Sequence, residues 1–260
     1  MQLGISDLSI IPVRAVPSEK AEMVTQILFG EKYEILEEIE KWTRIKLLFD
    51  DYIGWIDTKM VFALEEESSE DTTNYMVSET FNIVNRTDVW GNKLLVPGSN
   101  LPFFNKETSE FKISNLSYVL SENHPDLHDD KSLRDRLIEN AFKYYNSPYL
   151  WGGRTPYGID CSGLSQIVYK LININLPRDA SKQVEIGDSL LFVEEAMPGD
   201  LAFFGDREGV ITHVGMIWKH HKIIHASGKV RIDNIDQEGI YNEEMKRYTH
   251  KLRTIKRILK

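Results

Sequence analysis

The sequence is short of several features, and each shortage narrows what the protein can be. It has one cysteine among 260 residues, Cys161, so no intramolecular disulfide can form, which suits a reducing compartment. No apolar run approaches the roughly 20 residues that a membrane-spanning helix needs, and we expect no membrane partner. Residues 1–12 lack a basic start followed by a long apolar core, as a signal peptide would have. We therefore expect a cytoplasmic protein; an exported form would require that a leader had been removed.

Positive charge is scarce in the first half of the chain. Before residue 131 there are 11 Lys and Arg against 24 Asp and Glu, whereas from residue 131 onward there are 20 against 16. An acidic front half argues against nucleic acid as a partner, because phosphates need a basic face. The basic segment 246–260 is interpreted as a solvated helix or strand end, since apolar side chains interrupt its charges.

What the sequence does contain is a glycine-rich approach to its single thiol. Residues 149–164 read Tyr-Leu-Trp-Gly-Gly-Arg-Thr-Pro-Tyr-Gly-Ile-Asp-Cys-Ser-Gly-Leu, with two turn signals ahead of Cys161. Apolar residues follow at helical spacing, so we predict a helix with Asp160 as N-cap and Cys161 as its first residue. The helix dipole and the unpaired N–H groups there would favour the thiolate. The alternative is a buried cysteine that acts only as a small apolar side chain.

Two histidines are candidates for the base that such a nucleophile needs. We predict strands at 211–218 and 222–226, joined by a turn centred near Lys219 that sets His213 directly opposite His225. One imidazole would act as the base and the other would orient it. Taken singly, each could be a structural histidine. The remaining histidines are expected on the surface: His124, His128, His220, His221 and His250.

Five motifs together resemble the NlpC family of cell-wall cysteine peptidases. They are residues 149–164, Leu-Pro-Arg-Asp-Ala-Ser-Lys-Gln at 176–183, Met-Pro-Gly-Asp-Leu-Ala-Phe-Phe at 197–204, His-Val-Gly-Met-Ile at 213–217 and Ile-His-Ala-Ser at 224–227. Their order is the family's order, which is far more specific than any one motif. The resemblance implies an α+β papain-like catalytic domain in which Cys161 is the nucleophile, His213 the base and His225 the third polar residue.

The resemblance extends to the organisation of the whole chain. Short predicted strands in residues 1–64, with the segments 13–17, 28–31 and 52–55, are similar to a bacterial SH3-like domain. An acidic linker at 65–74 precedes a second, degenerate SH3-like barrel at 75–127. The catalytic domain then covers 129–260. It begins with a predicted helix at 129–147, for which Ser132 is the N-cap.

A subgroup of the family with SH3-like domains, the YkfC-like γ-D-glutamyl-L-diamino acid endopeptidases, resembles the whole chain. That subgroup cleaves murein peptides after L-Ala-γ-D-Glu and requires a free N-terminal alanine. The resemblance places substrate-binding roles on six residues: Tyr149, Asp160, Ser162, Asp179, Glu31 and Tyr52. Glu31 or Asp160 would pair with the substrate's ammonium group. No metal or cofactor is expected, since the histidines are the wrong number for a closed zinc site with one cysteine.

Other functions remain to be distinguished from this one. The first is a peptidoglycan-remodelling hydrolase that acts on intact wall, and the second is an acyltransferase or amidase on the same core. The third is a wall-peptide binding protein with an idle catalytic domain. The presence of Cys161, His213 and His225 weighs against the third. The sequence does not indicate an oligomeric state.

Overall fold

The computed structural model describes residues 2–64, 75–121 and 131–260. The chain divides into two compact units, residues 1–129 and 130–260. The predicted linker at 65–74, the start of the predicted helix at 129, and His124 and His128 lie outside the described residues. Among the described residues, no helix is long and apolar enough to cross a membrane.

The first unit is built from two antiparallel sheets. The first sheet has the strand order β1-β4-β5-β6-β2-β3 and contains β1 (Gln2–Ile5), β2 (Ile10–Arg14), β3 (Met23–Leu28), β4 (Lys32–Ile39), β5 (Trp42–Leu47) and β6 (Ile53–Asp57). The second has the order β8-β7-β10-β9 and contains β7 (Asn82–Arg86), β8 (Asn92–Leu95), β9 (Glu110–Ile113) and β10 (Leu116–Leu120). The predicted all-β character of this region is confirmed. Its division into separate domains at 1–64 and 75–127 stays a prediction.

Each sheet of the first unit has its own apolar core. The core of the first sheet contains Ile11, Val13, Tyr33 and Ile45, whose alternation along β2, β4 and β5 turns them to one face. The second core mixes aliphatic and aromatic side chains, and Phe29 joins it from the loop after β3. Because Phe29 packs edge-on against Phe111 of β9, the two sheets share side chains within this unit.

The second unit is an antiparallel barrel with three helices. Its elements are α1 (Leu133–Phe142), β11 (Arg154–Thr155), β12 (Gly158–Ile159), α2 (Cys161–Lys170), α3 (Ala180–Gln183), β13 (Asp188–Leu190), β14 (Leu201–Gly205), β15 (Ile211–Lys219), β16 (Lys222–Ser227), β17 (Lys229–Ile235), β18 (Gly239–Asn242) and β19 (Arg247–Arg257). Each strand from β14 to β18 pairs with the next one along the chain, and β19 pairs with both β18 and β14. These pairings close a six-stranded barrel.

Alternation along the barrel strands separates an inner core from an outer face. Every barrel strand contributes to one buried cluster, whose members include Ala202, Phe204, Ile217, Ile223, Ile235, Ile240 and Ile255. The intervening residues, such as Phe203 and Met216, are also buried, and α2 packs against β15 and β16. Helices on an antiparallel sheet give an α+β domain, as the sequence predicts.

Two sequence predictions need correction at the ends of elements. The first helix is shorter than predicted, from Leu133 to Phe142, although Ser132 caps it by accepting a hydrogen bond from the Asp135 N–H. The basic segment 246–260 is not a solvated end, because β19 lies between β14 and β18 and closes the barrel. Its outward side chains carry the charges, whereas Ile255 is buried inside.

Candidate active site

The helix that carries Cys161 starts in a tightly packed turn. Asp160 is its N-cap, with extended backbone, and its carboxylate accepts a 2.6 Å hydrogen bond from the Gly163 N–H. The predicted helix start is therefore confirmed. A Cβ on Gly163 would lie 2.3 Å from the Gly153 carbonyl oxygen, so only glycine allows the helix to approach this turn. This close packing is one physical reason why the sequence has glycines in the Gly-Gly and Asp-Cys-Ser-Gly motifs.

The Asp160 carboxylate is held on more than one side. It accepts a 2.8 Å bond from the Gly152 N–H and two bonds, of 3.0 and 2.5 Å, from the Arg178 guanidinium. Arg178 is buried and also donates a 2.8 Å bond to the Ser162 hydroxyl. These donors occupy the carboxylate, so Asp160 shapes the turn and fixes the helix start. The predicted substrate-binding role of Asp160, and the choice between Asp160 and Glu31 for the ammonium group, stay predictions.

The Cys161 thiol lies at the start of α2 and is only 7% exposed. Burial, followed by the negative charge of Asp160, raises the pKa of Cys161 to about 11. The expectation of a thiolate in the free protein is therefore wrong, because desolvation outweighs the donors at the helix start. The donor at the helix start is the Ser162 N–H, and a second donor is the backbone N–H of Val214, the residue after His213 on β15. This contact brings the thiol to the strand that carries the candidate base.

Behind His213 a line of hydrogen bonds leads into the barrel. His213 Nε2 lies 2.9 Å from His225 Nδ1, and His225 Nε2 lies 2.9 Å from Asp233 Oδ2. Arg231 donates to both oxygens of that carboxylate, at 2.7 and 3.0 Å. Burial alone would raise the pKa of Asp233, but the bonds from His225 and Arg231 lower it below its usual value. Asp233 is therefore an ionised acceptor at neutral pH.

An ionised acceptor at one end of this line fixes the proton positions along it. Because Asp233 can only accept, His225 Nε2 must carry a proton and its Nδ1 must offer a lone pair. His213 Nε2 then donates to that lone pair. The arrangement leaves a lone pair on His213 Nδ1, which is the nitrogen that a general base needs.

The two histidines lie on neighbouring strands, but the register differs from the predicted one. His225 pairs with Gly215, and the β15–β16 hairpin turns at His220 and His221 with an irregularity at residue 218. The predicted direct pairing of His213 with His225 is wrong by two residues because the turn lies further along the chain. Since His213 and Gly215 share a face, the imidazoles meet diagonally across the strands.

His250 is a third histidine of the site, and the sequence analysis placed it on the surface. Its ring stacks on His213 with centroids 4.2 Å apart and lies edge-on to His225 at 5.6 Å. His250 lies on β19, and the sequence placed it on the surface because the segment 246–260 was predicted to be a solvated end. No spacing in the sequence connects this strand with β15. His220 and His221, by contrast, are exposed as predicted.

Comparison with known proteins places this geometry in a family. The NlpC/P60 family matches residues 146–253, and the bacterial dipeptidyl-peptidase SH3 domain matches residues 13–60. The probable endopeptidase NlpC of Escherichia coli is 32% identical over 107 residues, which cover 40% of this chain and 69% of that protein. The chain belongs to the NlpC/P60 family.

Full-length similarity is found as well. The γ-D-glutamyl-L-lysine dipeptidyl-peptidase of Bacillus subtilis is 28% identical over 237 residues, covering 85% of this chain and 78% of that protein. A crystal structure of an NlpC/P60 family protein from Bacillus cereus superposes with a TM-score of 0.82 at 18% identity, covering 99% of this chain and all of that one. The second match shows that the two proteins share a fold. An NlpC/P60 domain preceded by an SH3-like all-β region is therefore confirmed.

Burial sets the charge state of the histidines in this NlpC/P60 domain. His213 is 6% exposed and His225 is 1% exposed. Burial, together with the neighbouring histidine charges, lowers the pKa of His213 well below its usual value, and burial also lowers that of His225. The pKa of His250 falls to about 4 for the same main reason. All three imidazoles are neutral at pH 7, and so is the thiol.

Tyr149, Ser162 and Asp179 are the other predicted substrate residues in this unit. Burial, then the nearby Cys161 and Asp160, raises the pKa of Tyr149 to about 12, so its phenol is protonated at neutral pH and lies near the thiol. Ser162 belongs to the Asp160–Arg178 network. Asp179 is exposed and precedes α3.

Glu31 and Tyr52 lie in the first unit. The buried Glu31 carboxylate accepts a 2.8 Å bond from the Leu28 N–H, and Tyr52 packs on the core of the first sheet. Their substrate-binding roles stay predictions.

Besides His250, three participants were not predicted from the sequence. Asp233 and Arg231 lie on β17, for which no strand was predicted, and their pairing is visible only once β17 is placed beside β16. Arg178 lies in the motif Leu-Pro-Arg-Asp, which by itself does not indicate that the arginine pairs with Asp160. Because arginine is rarely buried without a partner, a lone arginine that follows an apolar stretch could have indicated a buried ion pair with Asp160.

Proposed function

We propose that the protein is a cysteine peptidase that hydrolyses the amide bond between γ-D-glutamate and an L-diamino acid in murein peptides. The observation that carries this proposal is a chain of contacts. The Cys161 thiol meets the backbone of β15 beside His213, and His213 is hydrogen-bonded through His225 to Asp233. This arrangement places a thiol at a helix start against a strand whose histidine has its Nδ1 lone pair fixed by a buried carboxylate. The names of the full-length relatives support the bond that is cleaved.

The reaction starts from a neutral thiol and a neutral imidazole. As Cys161 Sγ attacks the γ-glutamyl carbonyl carbon, His213 Nδ1 takes the thiol proton. The resulting imidazolium is stabilised through His225 by the negative charge of Asp233. His213 then gives the proton to the departing amine, and a thioester remains on Cys161. A water molecule, deprotonated by His213, hydrolyses the thioester and restores the thiol.

The oxyanion formed in both steps needs donors close to the thiol. The Cys161 backbone N–H lies in the first turn of α2, where N–H groups have no partner within the helix. The protonated phenol of Tyr149 is the second donor that we assign. Removing one such donor from an oxyanion site costs about 3 kcal/mol of transition-state stabilisation.

The proposed substrate is a free peptide that begins with L-Ala-γ-D-Glu. A short stub on the amino side would present an ammonium group, and Glu31 or Asp160 is the carboxylate that we assign to it. A cytoplasmic location is part of the same proposal and is supported by the single cysteine. Cell fractionation with an antibody against the protein would test it.

The test of the proposed function is mass spectrometry of reaction products. We expect L-Ala-γ-D-Glu-L-Lys to yield L-Ala-γ-D-Glu and lysine, with no product from Cys161→Ala. The N-acetylated peptide should react at least about a hundredfold more slowly, because it lacks the positive charge that the carboxylate would bind and carries added bulk. Equal rates for the acetylated peptide, or release of peptides from intact sacculi, would instead favour a wall-remodelling hydrolase. Binding of the peptide without products would favour a binding protein.

A further inference from the structure

We propose that His213, His225 and His250 form a binding site for a divalent transition-metal ion of the Zn²⁺ type, and that an ion bound there inhibits the enzyme. Each imidazole offers one nitrogen, and the three nitrogens lie within 4.8 Å of one another. The site is distinct from the thiol, since Cys161 contributes no ligand. Only the inhibitory consequence rests on the proposed function.

The geometry of the three rings suits a common metal ion. His213 and His250 stack with an interplanar angle of 27°, and His225 is nearly perpendicular to both, at 83°. Zinc–imidazole bonds are about 2.0 Å long, so two nitrogens around a tetrahedral ion lie roughly 3.3 Å apart. The three nitrogens, which lie within 4.8 Å of one another, would have to approach by at most about 1.5 Å to reach that spacing.

The surroundings prepare the imidazoles to act as ligands. The ring nitrogens of the three imidazoles already face one another, so the ligands meet without a rearrangement of the strands. His225 donates its other N–H to Asp233, which is the carboxylate–histidine arrangement typical of metal ligands. This bond holds His225 Nδ1 as a lone pair directed at His213.

A proton shift within one ring is sufficient for the ion to enter. In the metal-free protein His213 Nε2 carries the proton that bonds to His225 Nδ1. If that proton moves to His213 Nδ1, the ring stays neutral and Nε2 becomes a ligand. The proton then occupies the nitrogen that would accept the thiol proton. Metal binding therefore removes the base without touching the nucleophile.

An open cleft provides a path to the site. His250 lines this cleft together with Asp206, Glu238 and Tyr248. Two basic residues, Arg207 and Lys251, balance the two carboxylates of the cleft, and His213 and His225 are more deeply buried than His250. Metal ions would thus meet His250 first.

The test uses the full chain carrying Cys161→Ala, which removes the thiol as a competing ligand. Titration with Co²⁺ should give the visible absorption of a four-coordinate nitrogen site, and Zn²⁺ should displace the Co²⁺. Adding His250→Gln should weaken Zn²⁺ binding at least tenfold, whereas His221→Gln, an exposed histidine in the hairpin turn, should leave it unchanged. Unaltered affinity in the His250→Gln protein would overturn the proposal. So would loss of metal binding on removal of the thiol alone.

A second measurement covers the case in which His250→Gln fails to fold. Imidazole ¹⁵N resonances of the Cys161→Ala protein should shift on addition of Zn²⁺ for His213, His225 and His250, and not for His220 or His221. Shifts confined to the exposed pair would refute the site. Inhibition is then measured as the Zn²⁺ concentration that halves each variant's own metal-free rate, which should rise at least tenfold in His250→Gln. If the protein binds Zn²⁺ at these histidines but shows no peptidase activity, the metal site stands and the proposed function fails.

Discussion

Asp233 offers the sharpest perturbation of the proposed mechanism, because it lies two hydrogen bonds away from the base. In Asp233→Asn the side chain keeps its shape but gains an N–H₂ group. Arg231 donates to both carboxylate oxygens, so the amide loses one of these two bonds; when its oxygen keeps the bond from Arg231 Nη2, its nitrogen faces His225 Nε2. His225 must then accept at Nε2 and carry its proton on Nδ1. That proton faces His213 Nε2 and forces the proton of His213 onto Nδ1, where the base lone pair should be.

The size of the effect follows from the bond that is lost. A hydrogen bond to a charged group contributes about 1.5–3 kcal/mol, which is the free energy by which Asp233 favours the reactive proton arrangement. At 1.36 kcal/mol per factor of ten, the population of reactive enzyme falls roughly 10- to 150-fold. We expect this loss in kcat, with KM nearly unchanged, because Asp233 is buried behind His225 and touches no substrate.

The assay compares kcat and KM for L-Ala-γ-D-Glu-L-Lys in Asp233→Asn and in Glu244→Gln. Glu244 is the matched control, because it is the exposed second partner of Arg231 and has no contact with the histidine line. Thermal unfolding of both variants checks that the barrel is intact. The imidazole ¹⁵N shifts of His213 should report the change of tautomer directly. A folded Asp233→Asn enzyme within twofold of the wild-type kcat would refute the reasoning.

Three further predictions concern stability and reactivity. Asp200→Ala should lower the free energy of unfolding by about 2–4 kcal/mol in urea titrations, because the buried carboxylate pairs with Arg134 and Arg257. Glu185→Ala, in an exposed ion pair, should change it by less than about 0.5 kcal/mol. The pKa of His250 is about 4 in the folded protein and 6.5 in the unfolded chain. The free energy of unfolding should therefore have its full value above pH 6.5 and fall by about 1–2 kcal/mol as the pH drops to 4, allowing for the partial exposure of the ring. A His250→Gln protein with the same pH dependence would contradict this. Alkylation of Cys161 by iodoacetamide should be slow at pH 7 and rise toward pH 11, and rapid labelling at pH 7 would show that the free enzyme holds a thiolate.

The sequence allowed prediction of those parts of the site that depend on local order. Asp160 and Cys161 are adjacent, so the N-cap and the helix start follow from residue types and helical spacing alone. The strands that carry His213 and His225 also follow from alternation, as does their shared face. The hairpin register did not, because one irregular residue in β15 shifts the pairing without leaving a sign in the apolar pattern.

The contacts that set the charges of the site depend on distant strands. Asp233 meets His225 because β17 pairs with β16, and His250 reaches His213 because β19 closes the barrel. The charged outer face of β19 looks like a solvated end when the strand is viewed alone. The thiol pKa failed for a related reason: the helix start is local and favours the thiolate, whereas burial depends on the whole domain and opposes it.

The central claim, that Cys161 attacks the γ-glutamyl carbonyl, is tested most directly by trapping the acyl-enzyme. Acid quenching of the wild-type enzyme during turnover of L-Ala-γ-D-Glu-L-Lys, followed by digestion and mass spectrometry, should find one L-Ala-γ-D-Glu acyl group on the peptide that contains Cys161. No adduct should form in Cys161→Ala, and none should accumulate in His213→Ala, which lacks the base for acylation. An unmodified thiol throughout turnover, together with product release by Cys161→Ala, would contradict the account.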